Sequence, residues 1–387
     1  MSGEHKVGWG WRVFACLIAG VVLFAAYCWK ELRPVPVRVP TPTSDTVTVN
    51  PKPQSLLDRV TPTAVGHPTA ENGEEICGLG RAPTSDPYGI NMYVSAQTRA
   101  ARDRWESALL NSADLRARAV GLVLQQTGRK VSPDLALRAA EARDELVQLA
   151  VGSNDPTVYA LTVAVCHDKP ADIAVAADAC TRISLSEWAR LDPDNVVPWL
   201  ALAQAARAAG DSGAEATDFA HAAQAHKVEN AGLSLLTLAQ SEMPQDLSPL
   251  EKTASAIEFI GLESAWSGPQ LGEPLRYCTK DALGKSDLAT QCNNVAALLV
   301  SRGRSLLEFS IGRRLGERLS WPQDRLDKLS QEWSELFELV PADGHDQWSC
   351  DSVARTNQFM EKRVQVGEMQ ALRYFRDVPR LRDGPTR

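Results

Sequence analysis

The sequence predicts an all-α protein in which antiparallel helix pairs form an α-solenoid-like or bundle domain, preceded by one transmembrane helix and a Pro-rich stalk. Apolar residues recur at helical spacing over most of the chain, and helix-start signals follow one another at intervals of about twenty residues. No segment alternates convincingly between apolar and polar residues as a half-buried strand does. Short loops favour antiparallel neighbours, and the pattern leaves solenoid and bundle as alternatives.

The first apolar segment, residues 13–29, carries no charge and is near the short end of the roughly 17–25 residues that span a bilayer. It follows an N-terminal flank of residues 1–12. A cleaved signal peptide is the alternative interpretation. Lys30, Glu31 and Arg33 follow the apolar run directly, and no small-x-small cleavage site precedes a polar start. An uncleaved membrane anchor is therefore favoured.

Residues 30–76 form a linker that is rich in Pro, Thr and Val. This composition favours extended, polyproline-like conformations and offers few side chains to bury. We interpret the linker as a semi-rigid stalk that holds the folded part away from the bilayer. The helical domain is expected at residues 77–378, followed by a loose tail at residues 379–387.

Six cysteines lie outside the apolar segment, and an even number is typical of proteins in an oxidising compartment. Two pairs have the same spacing, and the other two cysteines stand near the ends of the helical domain. The predicted disulfides are Cys166–Cys180, Cys278–Cys292 and Cys77–Cys350. Six cysteines allow 15 connectivities, so proximity favours this pairing without fixing it. Reduced cysteines packed as small apolar side chains are the alternative.

Positive charges lie on both flanks of the anchor, so they do not decide its orientation in the membrane. We therefore use the cysteines to predict on which side the helical domain lies. Arg outnumbers Lys and Ala is abundant, which suits a GC-rich bacterial genome. We therefore expect a single-pass protein of the bacterial inner membrane with its C-terminal domain in the periplasm.

Proline in the first turn marks several helix starts, because its missing amide costs nothing there. The predicted early helices run from Tyr93 to Leu110, from Asp114 to Leu124, from Pro133 and from Pro156. The last of these opens a repeat-like core at residues 155–227. A C-terminal helical part is expected at residues 248–378.

The centre of the chain has the clearest helix boundaries. Ser184 and Glu187 have the spacing of a capping box, which predicts a short helix. Pro193 ends that helix by restricting the residue before it. Asn195 is a good N-cap for the next helix, and Gly210 can end it in the left-handed conformation.

This central segment resembles the tetratricopeptide repeat from Leu191 to Ala222. The matching residues are Leu191-Asp192-Pro193, Trp199, Leu202, Gly210-Asp211, Phe219 and Ala222. Glu215 and Lys227 depart from the pattern, so the resemblance covers about one degenerate repeat. It implies a helix pair whose first helix lines a partner-binding groove. The wider layout is similar to that of bacterial membrane-anchored proteins, a likeness that implies no particular activity.

The resemblance places the groove-lining positions on Val197, Leu200, Gln204 and Arg207. Gln204 and Arg207 lie about one turn apart, and the two could bind a peptide carboxylate by charge-assisted hydrogen bonds. The alternative is that Arg207 is an ordinary surface charge and that Leu200 belongs to the core.

The C-terminal part begins with another capping box, at Ser248 and Glu251. Apolar residues at four-residue steps predict a helix from Leu307 to Leu319. Pro322 starts the next helix, whose apolar seam resembles a coiled coil over two heptads and is attributed to packing within the domain. A last helix is predicted from Trp348 to Phe375.

Charge and motifs exclude several functions. A net charge of −7 argues against broad nucleic-acid binding, which requires a basic face. The sequence contains no His-Glu-x-x-His, Gly-x-Ser-x-Gly or Cys-x-x-Cys motif. Gly284-Lys285-Ser286 resembles the end of a phosphate loop, but Thr279 stands where the first glycine is required. His221 and His226 are five residues apart and do not share a helical face. We therefore predict no catalytic, cofactor-binding or metal-binding residue.

The sequence thus favours a protein- or peptide-binding scaffold that is anchored in the lipid bilayer and acts in the cell envelope, with no nucleic-acid partner. The rival hypotheses are a cell-wall hydrolase that uses an unrecognised Glu in a helical cleft, and a purely structural envelope protein. A deep cavity that holds a carboxylate with a strongly raised pKa would favour the enzyme. An apolar groove near Leu200 and Arg207 would favour the binding protein.

Overall fold

Fifteen α-helices, four short 3-10 helices and one β-hairpin form the described part of the chain. In this computed structural model it comprises residues 74–82, 87–126, 133–167, 179–265, 268–279, 284, 286–339 and 347–378. The prediction of an all-α protein is confirmed. The predicted anchor at residues 13–29, the stalk up to residue 73 and the tail at residues 379–387 lie outside these ranges. Within them, no helix has both the length and the apolar character that crossing a bilayer requires.

A small β-hairpin, which the sequence did not predict, precedes the helices. Strand β1 (Glu74–Ile76) pairs antiparallel with β2 (Gly80–Ala82). Gly78 and Gly80 have φ angles of 77° and 80°, a conformation that glycine adopts without steric cost. Ile76 is 1% exposed and belongs to a buried cluster, so the folded region includes residues assigned to the linker.

The first four helices pack against one another in chain order. They are α1 (Pro87–Leu110), α2 (Leu115–Gln126), α3 (Pro133–Ser153) and α4 (Pro156–His167). Trp105 and Leu109 of α1 are fully buried. The Asp155 carboxylate accepts hydrogen bonds from the amides of Thr157 and Val158, at 2.9 and 3.0 Å, and thereby caps α4.

The central helices begin and end close to the predicted residues. They are α5 (Leu185–Leu191), α6 (Val196–Ala208), α7 (Ser212–Ala222) and α8 (Leu235–Ala239). Asn195 caps α6, and Gly210 follows it with a φ of 76°. The Ser184 capping box is only half formed. The Ser184 hydroxyl accepts from the Glu187 amide, whereas the Glu187 carboxylate pairs with Arg190.

Seven helices form the C-terminal part. They are α9 (Pro249–Ala265), α10 (Glu273–Tyr277), α11 (Ser286–Arg302), α12 (Leu306–Arg318), α13 (Gln323–Phe337), α14 (Cys350–Val366) and α15 (Glu368–Asp377). The predicted single helix from Trp348 to Phe375 is wrong. Gly367, with φ 85° and ψ 164°, interrupts it, because this extended conformation leaves the helical region of backbone space.

Contacts between distant segments close the domain. Helix α1 packs against α9, and α9 packs against α14. In a solenoid each repeat contacts only its neighbours, so these helices depart from a purely sequential stack. The predicted cysteine pairs are bonded, with sequence separations of 273, 14 and 14 residues for Cys77–Cys350, Cys166–Cys180 and Cys278–Cys292.

Candidate functional site

A cavity of about 550 Å3 lies where α4, α5 and α6 meet residues 230–232 and 268–270. We call it the α4–α6 pocket. Its volume falls in the range of pockets that hold small ligands, roughly 300–1,000 Å3. Apolar side chains dominate its lining, among them Val163, Leu185 and Trp188. The lining alanines are Ala160, Ala164, Ala201, Ala205, Ala208 and Ala231.

The alanines explain why this space exists. Ala160 and Ala164 are four residues apart on α4, and Ala201, Ala205 and Ala208 follow one another at steps of four and three residues on α6. Residues at this spacing share one helix face. Because an alanine side chain ends at Cβ, these two faces leave room that larger side chains would fill. The cavity is therefore encoded in the sequence of both helices.

Few polar groups line the pocket, and two of them, the carboxamides of Gln204 and Gln270, have spare hydrogen-bonding capacity. Trp188 is 3% exposed, and its Nε1 has no hydrogen-bond partner in the described part of the chain. Such a group usually finds a partner when it is buried. The half-buried carboxamides of Gln204 and Gln270 form no side-chain hydrogen bond with another described residue. None of the described lining residues is Asp, Glu, Lys or Arg.

Gln270 reaches the pocket through an unusual backbone conformation. Gly268 has a φ of 76°, in the left-handed region that glycine tolerates. The Gln270 carboxamide lies where a Cβ on Gly268 would project, as close as 2.3 Å to the ideal Cβ position. A larger residue at position 268 would therefore displace this carboxamide from the pocket wall.

Asn195 joins two walls of the pocket. It is 1% exposed, and its Nδ2 donates to Asp192 Oδ2 and to the Glu229 carbonyl oxygen, both at 2.8 Å. Its Oδ1 accepts from the amides of Val197 and Glu229, at 3.2 and 3.1 Å. One carboxamide thus fixes the start of α6 to the segment that continues into residues 230–232. The Lys227 ammonium adds an ion pair to Asp192 at 2.7 Å.

The structure separates the four predicted groove residues. Val197 and Leu200 are fully buried, so the expectation that they line an open groove is corrected. Their face of α6 packs into the main core, in the same cluster as Phe219. Gln204 lies on the pocket wall, as described above. The alternative of a core role for Leu200 is the one that the structure supports.

Arg207 already binds a carboxylate of its own chain. Its Nε and Nη2 donate to the two carboxylate oxygens of Glu273 at 2.8 and 2.9 Å, in a bidentate pair. The hydrogen bond to Glu273 raises the pKa of Arg207 further. Glu273 is fully buried, so removal of Arg207 would leave a buried charge without this partner. Arg207 thus joins α6 to α10.

A second cavity, of about 350 Å3, gathers charged side chains from five parts of the fold. We call it the acidic cavity. Its charged residues are Glu263 of α9, Glu308 of α12, Arg363 of α14, Glu368 of α15 and Arg304 of the loop before α12. Arg363 donates to the Glu263 carboxylate within this group. The cavity is the feature that the hydrolase hypothesis requires.

The carboxylates of this cavity cap helices. Glu308 accepts from the amides of Arg304 and Ser305 at 2.6 and 3.0 Å and completes a capping box with Ser305. Glu368 accepts from the Leu306 amide at 2.9 Å, and Glu263 accepts from the amide of Leu236 in α8 at 2.9 Å. Each carboxylate therefore satisfies an amide that a helix start leaves unpaired.

Burial makes two of these groups weaker acids. Burial raises the pKa of Glu308 to about 7, and the negative charge of Glu368 adds to this effect against the opposing backbone hydrogen bonds. Burial also raises the pKa of Glu263, although Arg363 lowers it. Among the described residues, no three His, Cys, Asp or Glu side chains are placed to hold a metal ion.

No protein-family model matches the chain, and neither a curated protein nor a solved structure does so.

Sequence reasoning missed most of the pocket. The spacing of the alanines was visible, but alanine is also a common helix former, and the pattern does not say which faces meet. Trp188, Gln270 and the acidic cavity depend on contacts between distant segments. The Ser305–Glu308 spacing is a capping-box signal that the sequence does carry.

The pKa of Glu308 predicts a pH-dependent stability. In the folded protein the pKa of Glu308 lies above its ordinary value of 4.5. The contribution of Glu308 to the free energy of unfolding is therefore complete below pH 4.5 and is lost as pH rises through about 7. A shift of this size corresponds to about 3 kcal/mol. We expect the melting temperature of the native chain to fall between pH 5 and pH 8.5, and Glu308→Gln to make that fall smaller.

Glu361→Gln is the matched control, because Glu361 is exposed on α14. It should leave the pH profile unchanged. Equal pH profiles for native protein and Glu308→Gln in thermal denaturation followed by circular dichroism would contradict the assignment.

Proposed function

We propose that this chain is a membrane-anchored periplasmic protein whose helical domain is a protein- or peptide-binding scaffold in the cell envelope. The observation that supports this proposal most is the α4–α6 pocket. It is mainly apolar, and the carboxamides of Gln204 and Gln270 in its lining form no side-chain hydrogen bond with another described residue. These are the common properties of a ligand site.

The proposed anchor is residues 13–29, and the proposed stalk follows it. Three disulfide bonds in the helical domain support an oxidising compartment. A domain held beyond the inner membrane by a stalk would meet partners in the periplasm. The lipid bilayer is then a partner of the anchor alone.

The repeat resemblance is also a proposal. Helices α6 and α7 form a closely packed pair that begins at the Asn195 cap and turns at Gly210. Such a pair is the unit of a tetratricopeptide repeat. The proposed ligand surface differs from the usual one, because the open face of α6 is the alanine face that lines the α4–α6 pocket.

The acidic cavity favours the alternative function, a cell-wall hydrolase, because Glu308 combines deep burial with a pKa of about 7. A general acid also needs to reach the substrate oxygen that it protonates. The Glu308 Oε2 atom already accepts two backbone hydrogen bonds, and its Ser305 partner completes a helix cap. These contacts account for the residue without catalysis, so the binding function is preferred.

Export can be tested with a reporter enzyme fused after Arg387. Alkaline phosphatase folds into an active form only outside the cytoplasm, so the fusion should be active, and a cytoplasmic reporter in the same position should be inactive. The opposite pattern, together with six freely alkylated thiols in protein taken from intact cells, would reject the proposed location.

The binding function predicts that filling the pocket abolishes partner capture. Ala164→Phe places a large side chain in the cavity and should remove crosslinked partners in intact cells, while the melting temperature stays within a few degrees. Ala354→Phe, at an exposed position of α14, is the matched control and should capture as the native protein does. Identical crosslinked species from the two variants would reject the pocket as the binding site.

A further inference from the structure

The chemistry of the pocket wall restricts what it can hold. We infer that the α4–α6 pocket takes an uncharged, mainly apolar peptide segment, whose backbone peptide groups form hydrogen bonds with the carboxamides of Gln204 and Gln270. This inference rests on the proposed binding function and names the class of ligand for the same site.

The first argument concerns charge. Among the described lining residues there is no Asp, Glu, Lys or Arg, and the titratable His167 lies at the exposed end of α4. A ligand charge placed among these alanines would lose its hydration without gaining a partner of opposite charge. Burial of an unpaired charge is far more costly than burial of an apolar group. The pocket therefore discriminates against charged ligands.

The second argument concerns hydrogen bonding. A carboxamide offers an acceptor oxygen and two donor hydrogens, which match the N–H and C=O of a peptide group. Gln204 on α6 and Gln270 in the 3-10 helix Pro269–Gly272 contribute to the same cavity from two elements, and both have this capacity unused among the described residues.

Other neutral ligands fit less well. A lipid acyl chain would bury both carboxamides without satisfying their hydrogen bonds, which is unfavourable. A neutral oligosaccharide would bring many hydroxyl groups against Val163, Leu185 and the alanines, where few partners exist. A peptide segment of apolar residues fits both kinds of lining group. Its side chains can pack against the alanines, and its backbone can form hydrogen bonds with the carboxamides.

Calorimetric titration of the full-length protein in detergent tests the ligand class. The probes are acetyl- and amide-capped hexapeptides of Ala, Val and Ser that differ only in a central Val, Asp or Lys. We expect the Val peptide to bind and the Asp and Lys peptides to bind at least about tenfold more weakly. Equal affinity for the three peptides, no binding of the Val peptide, or stronger binding of chitotetraose would overturn the inference.

The role of Gln204 has its own test. Gln204→Leu keeps a side chain of similar size and removes the hydrogen bonds, so affinity for the Val peptide should fall by about fivefold to tenfold. Gln370→Leu, at an exposed position of α15, is the matched control and should bind normally. Unchanged affinity in Gln204→Leu would contradict the assigned contact, and melting curves of both variants exclude a loss of folding.

These outcomes are distinguishable from failure of the proposed function. If Ala164→Phe abolishes capture in cells but charged peptides bind as well as neutral ones, the binding function stands and the ligand class is wrong. If Ala164→Phe leaves capture intact, the binding function itself is wrong, whatever the peptides show.

Discussion

A single buried carboxamide holds together the part of the fold that matters most for the proposed function. Asn195 forms two hydrogen bonds through its Nδ2 and two through its Oδ1, and their partners are Asp192, the first turn of α6 at Val197, and the amide and carbonyl groups of Glu229. A buried amide with any of these bonds missing would be costly. These bonds therefore fix the start of α6 relative to the segment that continues into residues 230–232, and both line the pocket.

The two cavities differ in whether their polar groups are already satisfied. In the acidic cavity, Glu263, Glu308 and Glu368 accept hydrogen bonds from helix-start amides, so their oxygens already have partners within the fold. In the α4–α6 pocket, Gln204 and Gln270 have no described side-chain partner. A polar group without an internal partner is either solvated or available to a ligand. This difference is the physical reason for preferring a binding protein over a hydrolase.

Local signals in the sequence predicted most helix boundaries, because caps and turns depend on neighbouring residues. Asn195, Gly210 and the Ser248 capping box lie where the sequence placed them. The equal cysteine spacings predicted two disulfides for the same local reason. The break at Gly367 was missed because glycine in a helical pattern is ambiguous. The pocket was missed because it depends on which faces of α4 and α6 line the same space, a property of tertiary packing. Tertiary packing also explains the wrong prediction for Arg207. The sequence predicted that it binds the carboxylate of a peptide ligand, whereas it binds the carboxylate of Glu273 in its own chain.

The alanine side chains that create the pocket also allow it to be observed directly. Methyl-labelled alanine gives separate NMR signals for Ala160, Ala164, Ala201, Ala205, Ala208 and Ala231, which line the pocket, and for the core residues Ala117 and Ala119. We expect the Val peptide to shift the methyl signals of the pocket alanines and to leave the signals of the two core alanines unchanged. Shifts confined to alanines outside the pocket, or no shift at saturating peptide, would contradict the claim that this cavity is the binding site.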